Sequence, residues 1–296
     1  MAIGYLLRKI GMLDAPAIAK MSTVTFRVLL STMTFQNIYA CDIRQIWNGR
    51  EVLINLALTL ANFILALLIA YRVQPRKRDV RGSLVQGMFQ NSYITFGVPI
   101  VSAAFGAAGA AMVGMMSALI VPLRNMIVVA YLSILCSERA DAKKIVFSVL
   151  KNPFFLGGVL GFAVCLLGIR LPYILSETVS SLSRIATPLS LLLLGATLDF
   201  KSMAGYKKEL FWGVMGKMVL IPIGLMPLAV LAGLRDAPLL STCVMVAAPS
   251  ATSAHIIARE MGADGDLAGQ ITVLTATVSI LVFFVFIFAL HQLHLI

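Results

Sequence analysis

This chain predicts an all-α polytopic membrane protein, built as two inverted five-helix repeats with crossing broken helices and a first helix that looks truncated. Three observations carry that fold class. The 296 residues are 59% hydrophobic and only 12% charged, with a mean hydropathy of +0.93, which is more apolar surface than a water-soluble globule of this length buries. Apolar runs recur at about 20 residues, the length of helix that crosses a hydrocarbon core about 30 Å thick. Two distant runs are each interrupted by a proline beside small polar residues: Asn91-Ser-Tyr-Ile-Thr-Phe-Gly97-Val-Pro99 and Ala247-Ala-Pro249-Ser-Ala-Thr-Ser253-Ala-His255. Backbone polar groups in a bilayer need internal partners, so a proline at span depth belongs where the carbonyl it frees lines a cavity or a site.

Taken in order, the apolar segment from Met1 to Leu7 is too short to span and reads as the remainder of a first helix. Complete spans are expected near 21–41, 52–71, 83–103, 107–136, 152–169, 179–198, 210–234, 238–258 and 267–290. The alternating ten-residue segments of an outer-membrane barrel are absent. Cys41, Cys136, Cys165 and Cys243 lie in or at the ends of these runs without metal-ligand or C-x-x-C spacing, as packing residues do. No cleavage site for a signal peptide follows the first residues.

The chain resembles itself at an offset of about 157 residues. Arg8-Lys-Ile-Gly11 answers Cys165-Leu-Leu-Gly168, Arg27 answers Arg184, Ser31 answers Pro188, and Phe105-Gly106-Ala-Ala-Gly109 answers Met261-Gly262-Ala-Asp-Gly265. Pro99 answers Pro249 with a six-residue slip. A unit of five helices is odd, so its second copy is inverted in the membrane, and the halves divide at 1–145 and 146–296. Mapped back, the helix at 152–169 begins its counterpart ahead of Met1, so either the true start lies upstream or a stub replaces the span.

Charge placement supports the same topology. The formal charge of +11 is concentrated in every second connection: Arg8, Lys9 and Lys20; Arg72, Arg76, Lys77, Arg78 and Arg81; Arg139, Lys143, Lys144 and Lys151; Lys201, Lys207 and Lys208. The intervening connections hold only Arg44, Arg50, Arg170 and Arg235. Short basic loops stay cytoplasmic, which places both termini outside a cell membrane crossed many times. The basic groups form no folded basic face, so a nucleic-acid role is excluded and anionic lipid headgroups are the expected contacts.

Enzymatic classes find no support. No paired aspartates, Ser/His set or H-E-x-x-H motif lies at span depth, so no catalytic or metal-ligating residue is assigned. The G-x-x-x-x-G-K-[ST] loop is missing, which leaves a gradient rather than ATP as the driving force, and no cofactor is implied. A passive channel would call for a filter or a charged ring, neither of which is present.

The stretch ending in Gly97-Val-Pro99, Pro122-Leu-Arg-Asn125, Lys151-Asn-Pro153, Ile185-Ala-Thr-Pro188 running into Leu191-Leu-Leu-Leu-Gly195-Ala-Thr-Leu198, Lys217 before Pro222, and Ala248-Pro249-Ser-Ala together resemble the auxin efflux carrier family, which includes bacterial permeases linked to malate and malonate. The resemblance runs from about Gly4 to the C-terminus. It implies ten helices whose fourth and ninth cross at their prolines, a scaffold of helices one, two, six and seven that is often dimeric, and transport of small organic anions. The chain departs from the family pattern at Ser31, where proline is common, and at Ser92 and near Ser253, where asparagine is common.

On this reading Pro99 and Pro249 free the carbonyls of Thr95 and Met245 and split each helix. The half-helix N-termini then suit a carboxylate. Asn91, Ser92, Thr95, Gly97, Asn125, Ser250, Thr252 and Ser253 are the expected polar surroundings. Lys217, deep in its span, is a candidate counter-charge to the substrate, and Arg124 and His255 are candidate coupling groups. Arg27 and Arg184, nearer span ends, read as interfacial anchors. The nearest rival is a sodium- or proton-coupled transporter of the bile-acid-symporter type, which also crosses two broken helices but expects carboxylates there. Gly157 and Gly161 have the small-xxx-small spacing of a close helix contact.

Overall fold

The structure is a computed structural model describing residues 1–40, 49–136, 149–198 and 205–296. Cys41, Arg44, the basic residues Arg139, Lys143, Lys144 and Lys201, and Asp199 lie outside these residues. The chain is all-helical where described. Five helical stretches are long and apolar enough to cross a membrane, namely Gly49–Val73, Arg78–Leu135, Tyr173–Thr197, Lys207–Leu231 and Gly265–Gln292.

The first helix, α1 (Ala2–Lys9), is short. After it, α2 runs over 15–39 with a π-helical stretch at Thr25–Leu30; Asp14 starts it by accepting from Ala17 N–H. α3 is Gly49–Val73. The next element is broken, α4 being Arg78–Phe89 and α5 the segment 93–105. At Gly106 the backbone turns to φ 64°, ψ −151°, a conformation that glycine alone reaches without strain. The chain folds back there into α6 (107–135): a side chain at Gly97 would meet Val113, and one at Gly109 would meet the Val101 carbonyl. The long apolar stretch 78–135 is therefore two passages, as the expected spans 83–103 and 107–136 require.

Six further helices follow among the described residues. α7 (Pro153–Leu166) is capped by Asn152, which accepts from Phe154 N–H at 2.9 Å. α8 is Tyr173–Thr197. α9 (Lys207–Leu231) carries a second π-helical stretch at Gly216–Leu220. A second broken element follows, α10 (Asp236–Ala247) and α11 (Ala254–Glu260), and α12 (Gly265–Gln292) closes the bundle.

The broken elements occupy the centre. Every residue from Val80 to Phe89 and from Leu239 to Ala247 is buried, so α4 and α10 are enclosed on all sides. The outer face of α12, with Ile280, Leu281, Phe284 and Phe288, is exposed and apolar, as a lipid-facing surface is. Asp264 ties one end of the bundle together. It caps α12, its carbonyl accepts from Ser83 Oγ at 2.7 Å, and its carboxylate accepts from Tyr206 Oη at 2.6 Å, a bond that holds the phenol above its ordinary range.

Close helix contacts run through glycine. A Cβ at Gly157 would strike the Ser31 carbonyl, and one at Gly161 would come within 3.1 Å of the Phe35 carbonyl, so this pair seats α7 on α2. Gly157→Leu is expected to overpack that contact by about 1–3 kcal/mol and lower the unfolding midpoint in detergent by at least about 3 °C, whereas Gly114→Ala, with open space around it, leaves the midpoint unchanged. Equal midpoints for wild type and Gly157→Leu would contradict this packing.

Candidate functional site

The two breaks meet. Pro249 has no N–H for the Met245 carbonyl, and the side-chain amide of Asn91 donates to that carbonyl instead. Ser92 N–H donates to the Pro249 carbonyl at 2.9 Å, and Ser92 Oγ to the Ser250 carbonyl at 3.3 Å. Tyr93 Oη and Ser241 Oγ share a further bond of 2.5 Å between the two broken elements. Main-chain groups released by each interruption are thus taken up by the other.

The position of the first break differs from the expectation. Pro99 does not split its helix: the interruption is at Gln90–Ser92, seven residues earlier, and Pro99 lies two turns inside α5 on an exposed face. Tertiary hydrogen bonds from Asn91 and Ser92, rather than a missing N–H, draw the backbone out of helix here. Gly97 serves the hairpin, where the Val113 side chain and the Tyr93 ring leave no room for a Cβ. Pro249 does lie in its break, which extends from Ala248 to Ser253.

A chain of amides backs the first break. Gln86 Nε2 donates to the Ala254 carbonyl at 3.0 Å and to Gln90 Oε1 at 2.9 Å, and Gln90 Nε2 donates to Asn125 Oδ1 at 2.8 Å. Arg124, 2% exposed, donates through Nη1 to the Phe89 carbonyl at 2.7 Å and lies over the Phe89 ring. That carbonyl is one of the last in α4, so the guanidinium caps the negative end of a helix that stops inside the membrane.

Beside the crossing is a cavity of about 260 Å³, lined from α2 by Leu30, Met33 and Asn37, from the first break and α5 by Asn91 to Thr95, from α6 by Val121 and Asn125, from α8 by Ser183, Arg184, Thr187 and Ser190, and from the second break by Ala251 to Ser253. Of the expected site residues it gathers Asn91, Ser92, Thr95, Asn125 and Ser253, together with Thr252. The first turn of α5 faces it, and Ser92 makes no side-chain cap there, so those N–H groups are open to the cavity.

Pro99, Gly97, Pro249, Ser250, Arg124, Lys217 and His255 do not line it. Ser250 N–H donates to Thr275 Oγ1 at 3.1 Å. His255 Nδ1 pairs with the Thr252 carbonyl at 2.9 Å, behind the wall, and its Nε2 is buried without a partner among the described residues. Lys217 neither reaches the cavity nor snorkels: it is 0% exposed on the π-helical stretch of α9, and its Nζ has no hydrogen-bond partner among the described residues. The adjoining Gly216 packs against Met88 and Ile69, which sets this cation among α3, α4 and α9.

The residue missed from the sequence is Arg184. Its place near a span end suggests an interfacial anchor, yet among the described residues it is the one charged side chain in the cavity wall. Its match to Arg27 at the repeat offset was the available signal. Arg27 lies instead in a separate, polar hollow of about 480 Å³ with Lys151 and Glu260. A larger hollow of about 590 Å³ between α5 and α12 is walled mainly by apolar side chains, among them Phe105, Phe284, Ile287 and Phe288, with His291 as its titratable group.

Comparison with known proteins agrees with this architecture. Residues 1–287 match the family model described as "Membrane transport protein", the auxin efflux carrier family. Over 141 residues the chain is 30% identical to a Rhizobium meliloti (strain 1021) protein named "Putative malonate transporter". That match covers 47% of this chain and 42% of the relative, so less than half of the relative's length is spanned. The family match takes in nearly the whole chain, and this protein belongs to the membrane transport protein family of auxin efflux carriers.

Proposed function

We propose that the protein is a secondary active transporter that carries a small organic anion across the cell membrane by alternating access, binding it in the cavity beside the crossing. One observation carries this reading: among the described residues the wall holds a single charge, the Arg184 cation, set among amides and hydroxyls, with no carboxylate. Arg184 makes no ion pair or hydrogen bond among the described residues, so its charge is available to a ligand. Donors and a cation aimed into a partly enclosed cleft favour a carboxylate strongly. The relative named for malonate supports the same class of cargo. A sodium-coupled mechanism lacks support at the crossing, where the described residues place no carboxylate oxygen in the cavity wall.

The two halves, 1–145 and 146–296, act in this scheme as inverted repeats that exchange access to the cavity. Asn37 stands near the end of α2, whereas Ser183 lies near the middle of α8. Phe26, Leu132 and Met261 lie toward the opposite end, where Asp264 binds α4, α9 and α12 together.

Radiolabelled malonate uptake into proteoliposomes tests the site. Arg184→Gln is expected to raise the half-saturating concentration about 10- to 100-fold, the loss of one charge-assisted hydrogen bond to an anion, with little change in the amount of protein inserted. An unchanged value removes Arg184 from the site. Pro249→Ala restores an N–H for the Met245 carbonyl in competition with Asn91 and is expected to reduce uptake at least tenfold. Pro99→Ala, away from both breaks, is expected to stay within about twofold of wild type. The reverse order of these two prolines would refute the assignment of the breaks.

A further inference from the structure

The two asparagines in the cavity wall present opposite faces to a ligand. A backbone carbonyl only accepts, so the group that Asn91 turns toward Met245 is its NH2, and Oδ1 is the part left for the cavity. At Asn125 the orientation is set from a distance. The Ala254 carbonyl requires NH2 on Gln86; that NH2 also faces Gln90, which must answer with its oxygen; Gln90 then directs its own NH2 at Asn125, which must answer with Oδ1. The free part of Asn125 is its NH2. The cavity wall therefore offers an acceptor at position 91 and a donor at position 125.

A bare carboxylate fits only part of this wall. Its oxygens suit Asn125, Arg184 and the first turn of α5, but set against Asn91 Oδ1 they bring lone pair to lone pair and leave that acceptor unpaired. The single cation also offsets only one negative charge. From these two features we infer that the cavity selects a singly charged acid carrying a hydrogen-bond donor beside its carboxylate, with Asn91 as the residue that reads the donor. A hydroxy monocarboxylate meets this description, and so does a dicarboxylate in its half-protonated form. In the second case the cargo brings its own proton, and coupling to a pH gradient needs no titrating side chain. This inference rests on the anion-carrier reading above.

The charged and titratable groups around the cavity are Arg184 in the wall, Tyr93 bonded to Ser241, His255 behind Thr252 and Arg124 behind Asn125. Ligand and protein protonation must therefore be separated by experiment. The wild-type protein in proteoliposomes is assayed between pH 5.5 and 8 with lactate, propionate and succinate. Lactate is expected to half-saturate at about one-tenth the concentration of propionate, from which it differs by the hydroxyl that Asn91 would accept. Succinate affinity is expected to fall by about tenfold per pH unit above its second ionisation, while lactate affinity stays flat, which assigns the dependence to the ligand. Equal affinities for lactate and propionate, or a flat succinate profile, would overturn the inference. Parallel pH profiles for lactate and succinate would also overturn it, since a protein group such as His255 would then be titrating. If none of the three acids is bound or carried, the anion-carrier reading itself fails. Asn91→Leu is expected to bring lactate and propionate within about twofold of each other; tenfold discrimination retained by a folded Asn91→Leu protein would place the donor-reading group elsewhere.

Discussion

A helix that stops inside a bilayer leaves backbone groups with no water to receive them, and the whole centre of this protein is arranged around that constraint. The bond from Ser92 N–H to the Pro249 carbonyl and the bond from Asn91 to the Met245 carbonyl let two interruptions satisfy one another. Each such bond is worth about 1 kcal/mol net, but an unmet carbonyl in hydrocarbon costs several, so neither break is stable without its partner. The same pairing forces the two broken elements to the core, buries α4 and α10 on all sides, and leaves the continuous helices to meet lipid.

Charge follows the same economy of partners. Arg124 is engaged with the Phe89 carbonyl, where it completes a helix end, so its depth reflects the break and not the cargo. Arg184 lines the cavity, and in the proposed function it sets the sign of the cargo. Lys217 is wholly buried, its Nζ has no hydrogen-bond partner among the described residues, and it has no role in this scheme. The amides Gln86, Gln90 and Asn125 pass a fixed polarity from one backbone carbonyl to the cavity wall, which makes a distant main-chain atom part of the site's chemistry.

Much of the fold was legible in the residues because hydrocarbon thickness sets helix length and the absence of water makes proline conspicuous. The long apolar helices and the hairpin between 83–103 and 107–136 follow from those rules, the close seat of Gly157 follows from its small-xxx-small spacing, and the meeting of the two interrupted runs was implied by the family resemblance. The site was legible in kind and less so in place. Proline marked the second break, but the first arises at Gln90–Ser92 from contacts with residues more than 150 positions away, which no local pattern encodes. Arg184 was passed over for the same reason: depth along a helix says how far a side chain is from the membrane surface, and not which neighbours surround it. Lys217 and Arg124 stood out as buried cations, yet burial alone does not say whether a cation faces a ligand or a carbonyl.

The mutual support of the two breaks is tested most directly by cross-linking them. Ser92 and Ser250 are joined by a side-chain to main-chain bond of 3.3 Å, so Ser92→Cys with Ser250→Cys in an otherwise cysteine-free protein should form an intramolecular disulfide in membranes under mild oxidation. The expected result is rapid cross-linking that stops transport and is reversed by reductant. A folded double variant whose two cysteines react separately with a thiol reagent and never join would contradict the crossing on which this account stands.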